Sequence, residues 1–210
     1  MFLEMLFPPK CPYCSKVISY DMTECLACRA AYPLDPMIEV TPKGDICIAP
    51  FTYEEKIAEA IKNYKFKGVV FNAKSFSAAI VSAIRKTYYK DMCFEVVTSV
   101  PMTLSRKKNR DFNQSELIAK NAAELLDKPY EELFVRTVDT SYQHYLERDK
   151  RIQHNKNYYS VIDEEKIRGK KILLIDDIMT SGATLSACSE VLKDAGAERV
   201  LCAVAAIVRK

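Results

Sequence analysis

Residues 172–184 read ILLIDDIMTSGAT, and this stretch decides the fold. The four apolar residues at 172–175 predict a strand buried on both faces, as in a parallel sheet. We expect this strand to end in the adjacent carboxylates Asp176 and Asp177, at the edge where parallel α/β sheets bind ligands. The alternative is an acidic pair at an ordinary surface turn. That alternative does not explain why two charges directly follow a buried strand. The stretch therefore predicts a ligand site at the carboxyl end of an internal strand.

The second half of the stretch has the composition of a phosphate-binding loop. Thr180, Ser181 and Thr184 bring hydroxyl donors, and Gly182 allows a ligand to approach the backbone. A helix is predicted from residue 183, and its N-terminal N–H groups and dipole would favour an anion. A plain helix N-cap is the alternative. Neither GxxxxGK(S/T) nor GxGxxG is present, so the sequence does not indicate an ATPase or a dinucleotide-binding protein. The hydroxyl and N–H donors could bind a phosphate, and the two carboxylates could bind sugar hydroxyls or a metal. The stretch therefore suits a sugar phosphate.

Strand and helix patterns alternate before and after this stretch. A capping box at Thr52 and Glu55 predicts the start of a helix that Gly68 ends. Further helices are predicted at 73–88, 113–126 and 183–195, and strands at 94–100, 133–135, 172–175 and 199–208. This alternation predicts an α/β fold with a mostly parallel sheet flanked by helices.

Four of the eight cysteines form two CxxC pairs near the N-terminus: Cys11, Cys14, Cys25 and Cys28. Each pair offers two thiolates from one tight turn, and this spacing is typical of a tetrahedral zinc site. The alternatives are four ordinary cysteines or two disulfides, and a reducing cytoplasm disfavours the disulfides. Four thiolates would fill the coordination shell, so we expect a structural Zn²⁺. The sequence predicts a four-cysteine zinc module at 1–45, with a proline-containing linker at 33–45, before an α/β domain at 46–210.

The overall composition is that of an ordinary globular protein. Of the 210 residues, 49% are hydrophobic and 28% charged. The net charge of only +3 excludes a uniformly basic nucleic-acid wrapper, so any anion site depends on local clustering. No apolar run approaches the roughly 18 residues of a membrane-spanning helix, and the N-terminus lacks the basic start of a signal peptide. We expect a cytoplasmic protein without an integral membrane segment.

The stretch at 172–184 resembles the phosphoribosyl-pyrophosphate motif of type I phosphoribosyltransferases. Six other features match the ComF family of competence-associated, phosphoribosyltransferase-like proteins: the CxxC pairs, KFKG at 65–68, VP at 100–101, RxFNQ at 110–114, QxxL at 143–146 and Arg151. The chain is identified as similar to that family over most of its length. The resemblance implies a type I phosphoribosyltransferase-like fold, binding of phosphoribosyl pyrophosphate with Mg²⁺, and an association with DNA uptake and natural transformation.

The resemblance also implies roles for individual residues. The acidic pair would hold the ribose 2′- and 3′-hydroxyls, and the 180–184 loop, including Ala183, would hold the 5′-phosphate. Arg151, in a loop that closes over the substrate in related transferases, is the catalytic candidate. The other implied ligand contacts lie at and after the strand predicted at 94–100: Val100, Pro101, Arg106, Arg110, Asn113 and Gln114. Asn113 could instead simply cap its helix, and the cations at 106–110 could be a solvated charge run.

Two functions remain open from the sequence. In an enzyme, a nucleophile would displace pyrophosphate from C1′ of the ribose, and Mg²⁺ with Arg or Lys side chains would stabilise the leaving group. The alternative is a non-enzymatic competence protein that binds single-stranded DNA for the uptake machinery, with a regulatory phosphoribosyl site. Cations at 106–110 and 143–156, with Tyr142, Tyr145, Tyr158 and Tyr159 in and around the second segment, suit single strands. Release of pyrophosphate would separate the two functions.

Overall fold

The computed structural model describes residues 8–32, 35–67, 69–87, 94–102, 112–137 and 158–209. No helix in these ranges has the length and apolar character needed to cross a membrane. The elements in chain order are α1 (Leu26–Ala30), β1 (Met37–Val40), β2 (Ile46–Ala49), β3 (Phe51–Thr52), α2 (Glu55–Phe66), α3 (Asn72–Lys86), β4 (Val96–Ser99), α4 (Gln114–Leu126), β5 (Phe134–Arg136), β6 (Tyr159–Val161), β7 (Lys171–Met179), α5 (Ala183–Asp194) and β8 (Arg199–Ile207).

The main sheet has the strand order β1-β2-β8-β7-β4, and the short β3 also pairs with β8. Within this sheet β1 runs antiparallel to β2, while the pairs β2–β8, β3–β8, β7–β8 and β4–β7 are parallel. A separate antiparallel ribbon is formed by β5 and β6. The acidic pair belongs to β7, which lies between β4 and β8. The predicted mostly parallel sheet is confirmed.

Helices cover both faces of the sheet, which explains the continuous apolar run in β7. Leu173 and Ile175 point into a core that includes residues of α3 and α4. Ile172 and Leu174 point the other way, into a core that includes residues of α5. Because both faces of β7 are buried, the four side chains at 172–175 are all apolar, as expected for a central parallel strand.

The central strand is longer than the sequence predicts. β7 runs for nine residues and contains Asp176 and Asp177 instead of ending before them. Ile178 and Met179 resume the apolar pattern after the acidic pair, and they pair with Ala206 and Ile207 of β8. The prediction that the strand ends at the acidic pair is therefore wrong, because pairing with β8 holds the backbone extended for two residues beyond it.

Two predictions before residue 60 are also wrong. The predicted capping box is wrong because Thr52 belongs to β3, where it pairs with Ile207. Helix α2 begins only at Glu55, and the side chain of its N-cap residue, Glu54, makes no capping hydrogen bond. The linker prediction fails over 37–45, since β1 pairs with β2 and joins the sheet. This hairpin spans the boundary predicted between residues 45 and 46, and Cys11 and Tyr13 share a core with α3. The cysteine region therefore packs against the α/β domain.

Candidate functional site

Asp176 is fixed by a side chain from a different element. The Oγ of Ser115 donates to Asp176 Oδ1 at 2.6 Å, and the backbone N–H of Asp177 donates to the same oxygen at 2.8 Å. Ser115 is buried in the first turn of α4. Sequence analysis did not assign a role to Ser115, although it directly follows the predicted site residues Asn113 and Gln114. The structure thus adds a hydroxyl that orients the first carboxylate of the pair.

The environment of Asp176 changes its acidity. Removal from water, followed by repulsion from the Asp177 carboxylate, raises the pKa of Asp176 to about 7. The hydrogen bonds from Ser115 and from the Asp177 N–H act in the opposite direction. Two adjacent carboxylates in a poorly hydrated site resist carrying two full charges. The pair is therefore suited to hydroxyl groups or cations that stabilise its ionised form.

Asp177 is paired with a lysine from α2. Lys65 Nζ lies 2.8 Å from Asp177 Oδ1, and the two side chains are only 20% and 15% exposed. The end of α2 is held against α4 by Tyr64, whose hydroxyl donates to the Gln114 carbonyl at 2.7 Å. The Tyr64 ring also packs on Phe112, with centroids 5.7 Å apart. Sequence analysis missed Lys65 as a site residue, although the KFKG segment that contains it matched the family pattern.

Replacing Lys65 by Met should destabilise the protein, because Asp177 would keep its partly buried charge without a partner. We expect the free energy of unfolding at pH 7 to fall by about 1–3 kcal/mol. Urea denaturation measures this change. Lys67→Met is the matched control, since Lys67 is exposed two residues away on the same segment. Equal unfolding free energies for the two variants would contradict the role of the ion pair.

The 180–184 loop leads directly into α5. Gly182 is the N-cap residue with φ +74° and has no side chain to cap the helix, while the Ala183 N–H donates to Ser181 Oγ at 3.4 Å. A Cβ added at Gly182 would lie 2.8 Å from Pro42 Cδ, so both the backbone conformation and the space require glycine. Thr180, Ser181 and Thr184 are exposed around this helix end. The loop therefore offers hydroxyls and helix N-terminal N–H groups to an anion.

Asn113 and its neighbours hold α4 at the end of β4. The Oδ1 of Asn113 accepts from the Ser115 N–H at 3.2 Å, so Asn113 caps the helix. Its Nδ2 donates to the Val100 carbonyl at 3.3 Å, which joins α4 to the predicted pyrophosphate turn at Val100 and Pro101. Gln114 is buried. The capping role considered for Asn113 is confirmed, while ligand contacts of these residues stay predictions.

Arg106, Arg110 and Arg151 lie outside the described residues, as do the segments 106–110 and 143–156. Their roles therefore stay predictions. The β5–β6 ribbon, on either side of residues 138–157, packs into the same core as α5.

The four N-terminal cysteines form a cluster that could hold a metal ion. Their sulfur atoms all lie within 4.8 Å of one another, and Cys14 Sγ is 3.6 Å from Cys25 Sγ. Tetrahedral zinc with Zn–S bonds of about 2.3 Å separates its sulfurs by about 3.8 Å. The Cys28 N–H donates to Cys25 Sγ at 3.4 Å and lowers the pKa of Cys25 to about 7. Burial raises the pKa of the Cys11 and Cys28 thiols, so the geometry of the four sulfurs is what fits a metal site.

A family model for the phosphoribosyl transferase domain matches residues 73–210, which include β7, the acidic pair and the 180–184 loop. The chain belongs to the phosphoribosyl transferase domain family. Its sheet and flanking helices are thus those of a type I phosphoribosyltransferase fold, as the resemblance implied.

Named relatives agree with the ComF resemblance. The chain is 24% identical over 196 residues to competence protein F of Haemophilus influenzae, covering 91% of this chain and 82% of that protein. It is 31% identical over 164 residues to competence protein ComFC of Streptococcus pneumoniae, covering 72% and 64%. It is 25% identical over 199 residues to DNA utilization protein YhgH of Escherichia coli K12, covering 90% and 86%. These relatives, named for competence and DNA utilization, support placing the chain in the ComF family.

Solved structures include two partial matches to this fold. One is described as the allosteric regulatory enzyme of purine biosynthesis: TM-score 0.42, 21% identity, covering 62% of this chain and 24% of that chain. The other is a purine phosphoribosyltransferase from Pyrococcus horikoshii: TM-score 0.41, 14% identity, covering 64% and 72%.

Proposed function

We propose that this protein binds phosphoribosyl pyrophosphate at the carboxyl end of β7 and acts in the cytoplasm in DNA uptake and natural transformation. One observation carries the proposal: Asp176 and Asp177 are held by Ser115 and Lys65 one short loop away from the N-terminus of α5. Carboxylates accept hydrogen bonds from sugar hydroxyls, and helix N-termini bind phosphate. Both halves of a sugar phosphate therefore have a partner within one segment of chain.

Different residues would bind different parts of phosphoribosyl pyrophosphate. The acidic pair would accept hydrogen bonds from the ribose 2′- and 3′-hydroxyls, while the 180–184 loop would bind the 5′-phosphate. The Val100–Pro101 turn, with Arg106, Arg110 and Arg151, would face the pyrophosphate. Bound Mg²⁺ would neutralise pyrophosphate charge, since this ion prefers carboxylate, phosphate and water oxygens. Lys65 would add a fixed positive charge at the carboxylate end of the site.

Binding is tested by the melting temperature of the wild-type protein. Phosphoribosyl pyrophosphate with Mg²⁺ should stabilise the folded state by about 2.7 kcal/mol at a hundredfold excess over Kd. Scanning fluorimetry with ligand at increasing concentration measures the shift. An unchanged melting temperature at millimolar ligand would contradict the proposal. Pyrophosphate release in the presence of candidate nucleobases would then separate a transferase from a binding protein.

We also propose that Cys11, Cys14, Cys25 and Cys28 hold one structural Zn²⁺. The support is the set of four sulfurs within 4.8 Å of one another. Four sulfur ligands fill a tetrahedral shell and leave no position for a reacting water. The ion would stabilise the fold, and the chemistry of the phosphoribosyl site would not involve it.

Binding of single-stranded DNA is the second candidate function, favoured by relatives named for competence and DNA utilization. If four or five cations at 106–110 and 143–156 contact phosphates, log K should fall with log salt at a slope of about −3. Changing Arg106, Lys107 and Lys108 together to Ala should flatten the slope and weaken all sequences alike. Fluorescence anisotropy with labelled oligonucleotides measures both. A salt-independent affinity would exclude this surface.

A further inference from the structure

The turn between β1 and β2 (residues 41–45) lies along α5, the helix that begins at the 180–184 loop. At the start of the helix, Pro42 packs so closely on Gly182 that no side chain fits there. One turn farther, the Lys43 N–H donates to the Oγ of buried Ser186 at 3.3 Å. The Lys43 ammonium then lies 3.5 Å from Glu190 Oε1. The 41–45 turn thus follows one stripe of the helix.

Asp45 anchors the turn at the other end of α5. Its side chain is 2% exposed and forms an ion pair with Lys193 in the last turn of the helix. Thr41 Oγ1 donates to Asp45 Oδ2 at 3.4 Å and accepts from the Asp45 N–H at 3.1 Å, which closes the turn. Burying a carboxylate is costly unless it is paired. A hairpin that only covered the sheet edge would not need a buried charge joined to a helix 148 residues later in the chain.

We propose that the 41–45 turn positions the 180–184 loop, with Asp45 and Pro42 as the positioning residues. The inference rests on the function proposed above, because it names what holds the phosphate-binding half of that site. The ion pair fixes the far end of α5, and Pro42 fixes the end that carries the N-terminal N–H groups. Donors held in place before the ligand arrives bind it more tightly than donors that must first be ordered. No ligand contact is assigned to either residue.

The test compares two buried carboxylates in the 210-residue protein. Asp45→Asn removes the charge that pairs with α5. Glu24→Gln is the matched control, since Glu24 is also buried, at 1% exposed, and also forms an ion pair, with Arg29 at 2.7 Å. Its other partners, Thr23 and Ser75, lie outside α5. Pro42→Ala is the second variant, which keeps the ion pair intact if Asp45→Asn does not fold. Calorimetric titration with phosphoribosyl pyrophosphate and Mg²⁺ gives Kd, and hydrogen exchange reports on the amides of 183–190.

Asp45→Asn and Pro42→Ala should each raise Kd by about 2- to 30-fold, and amides at 183–190 should exchange faster. Glu24→Gln should leave that Kd and those amides unchanged, even where it lowers the melting temperature. The inference would be overturned if both test variants kept the wild-type Kd and the wild-type exchange rates at 183–190. It would also be overturned if Glu24→Gln raised Kd and these exchange rates as much as the test variants do. A wild-type protein that binds no ligand would overturn the proposed function instead. The exchange rates would still decide whether the 41–45 turn holds the loop.

Discussion

Changing Cys25 and Cys28 together to Ser should remove the metal and unfold the N-terminal half of the protein. Structural zinc contributes about 10–16 kcal/mol in small zinc-binding domains, which is comparable with the whole stability of a domain, about 5–15 kcal/mol. The effect should spread beyond the cysteines because Tyr13 packs edge-on against Phe51 and Phe76, with centroids 5.7 and 6.3 Å away. Loss of the metal would therefore loosen β3 and α3 as well.

Metal analysis and circular dichroism of the purified variant measure both effects. The wild type should contain about one equivalent of Zn²⁺, as one four-ligand tetrahedral site requires, and the variant should contain none. Cys202→Ala is the control, since Cys202 is buried in β8 within the core that includes α5 and should leave the metal content unchanged. Full metal retention in the double cysteine variant would contradict the assignment of these residues as ligands.

Asp176→Asn should stabilise the protein at pH 8 while weakening its proposed ligand binding. The pKa of Asp176 in the folded protein, about 7, lies above the usual value of 3.8. The folded state therefore holds this proton more tightly than the unfolded chain does. This contribution to stability is complete below about pH 4 and is lost as pH rises to about 7. Above that range the ionised carboxylate costs the fold about 1–3 kcal/mol, from a shift worth about 1.4 kcal/mol per unit, reduced for partial exposure.

The amide in Asp176→Asn keeps an oxygen that can accept from Ser115 and from the Asp177 N–H. Only the charge is lost, so urea denaturation between pH 4 and pH 8 isolates its effect. The wild type should lose unfolding free energy across that range relative to the variant. An Asp176→Asn protein that is less stable than the wild type at pH 8 would contradict the raised pKa. Such a trade of stability for function is common at ligand sites.

The sequence predicts the central strand and its helix because both follow from local patterns. Four consecutive apolar residues at 172–175 can be buried on both faces only in an internal strand, and Gly182 marks the turn into α5. The cysteine cluster is predictable for the same reason, since the two CxxC turns carry the ligand geometry locally. These patterns alone predict a sugar phosphate as the ligand. The family resemblance adds the more specific hypothesis of phosphoribosyl pyrophosphate.

The partners of the acidic pair could not be predicted in the same way. Lys65 and Ser115 reach Asp177 and Asp176 across 112 and 61 residues of chain, and no local pattern encodes such contacts. The capping box at Thr52 was wrong because pairing with Ile207 of β8 outweighs a local helix signal. Tertiary pairing also turned the predicted linker into β1.

The central claim is that the carboxyl end of β7 binds phosphoribosyl pyrophosphate through its acidic pair, and calorimetric titration with Mg²⁺ tests it most directly. We expect one site in the wild type and an affinity about 10- to 150-fold lower in Asp177→Asn, because hydrogen bonds to a charged group contribute about 1.5–3 kcal/mol. Glu165→Gln, an exposed carboxylate change outside β7, should bind like the wild type. No binding by the wild type at millimolar ligand, or equal affinities for the wild type and Asp177→Asn, would contradict the claim.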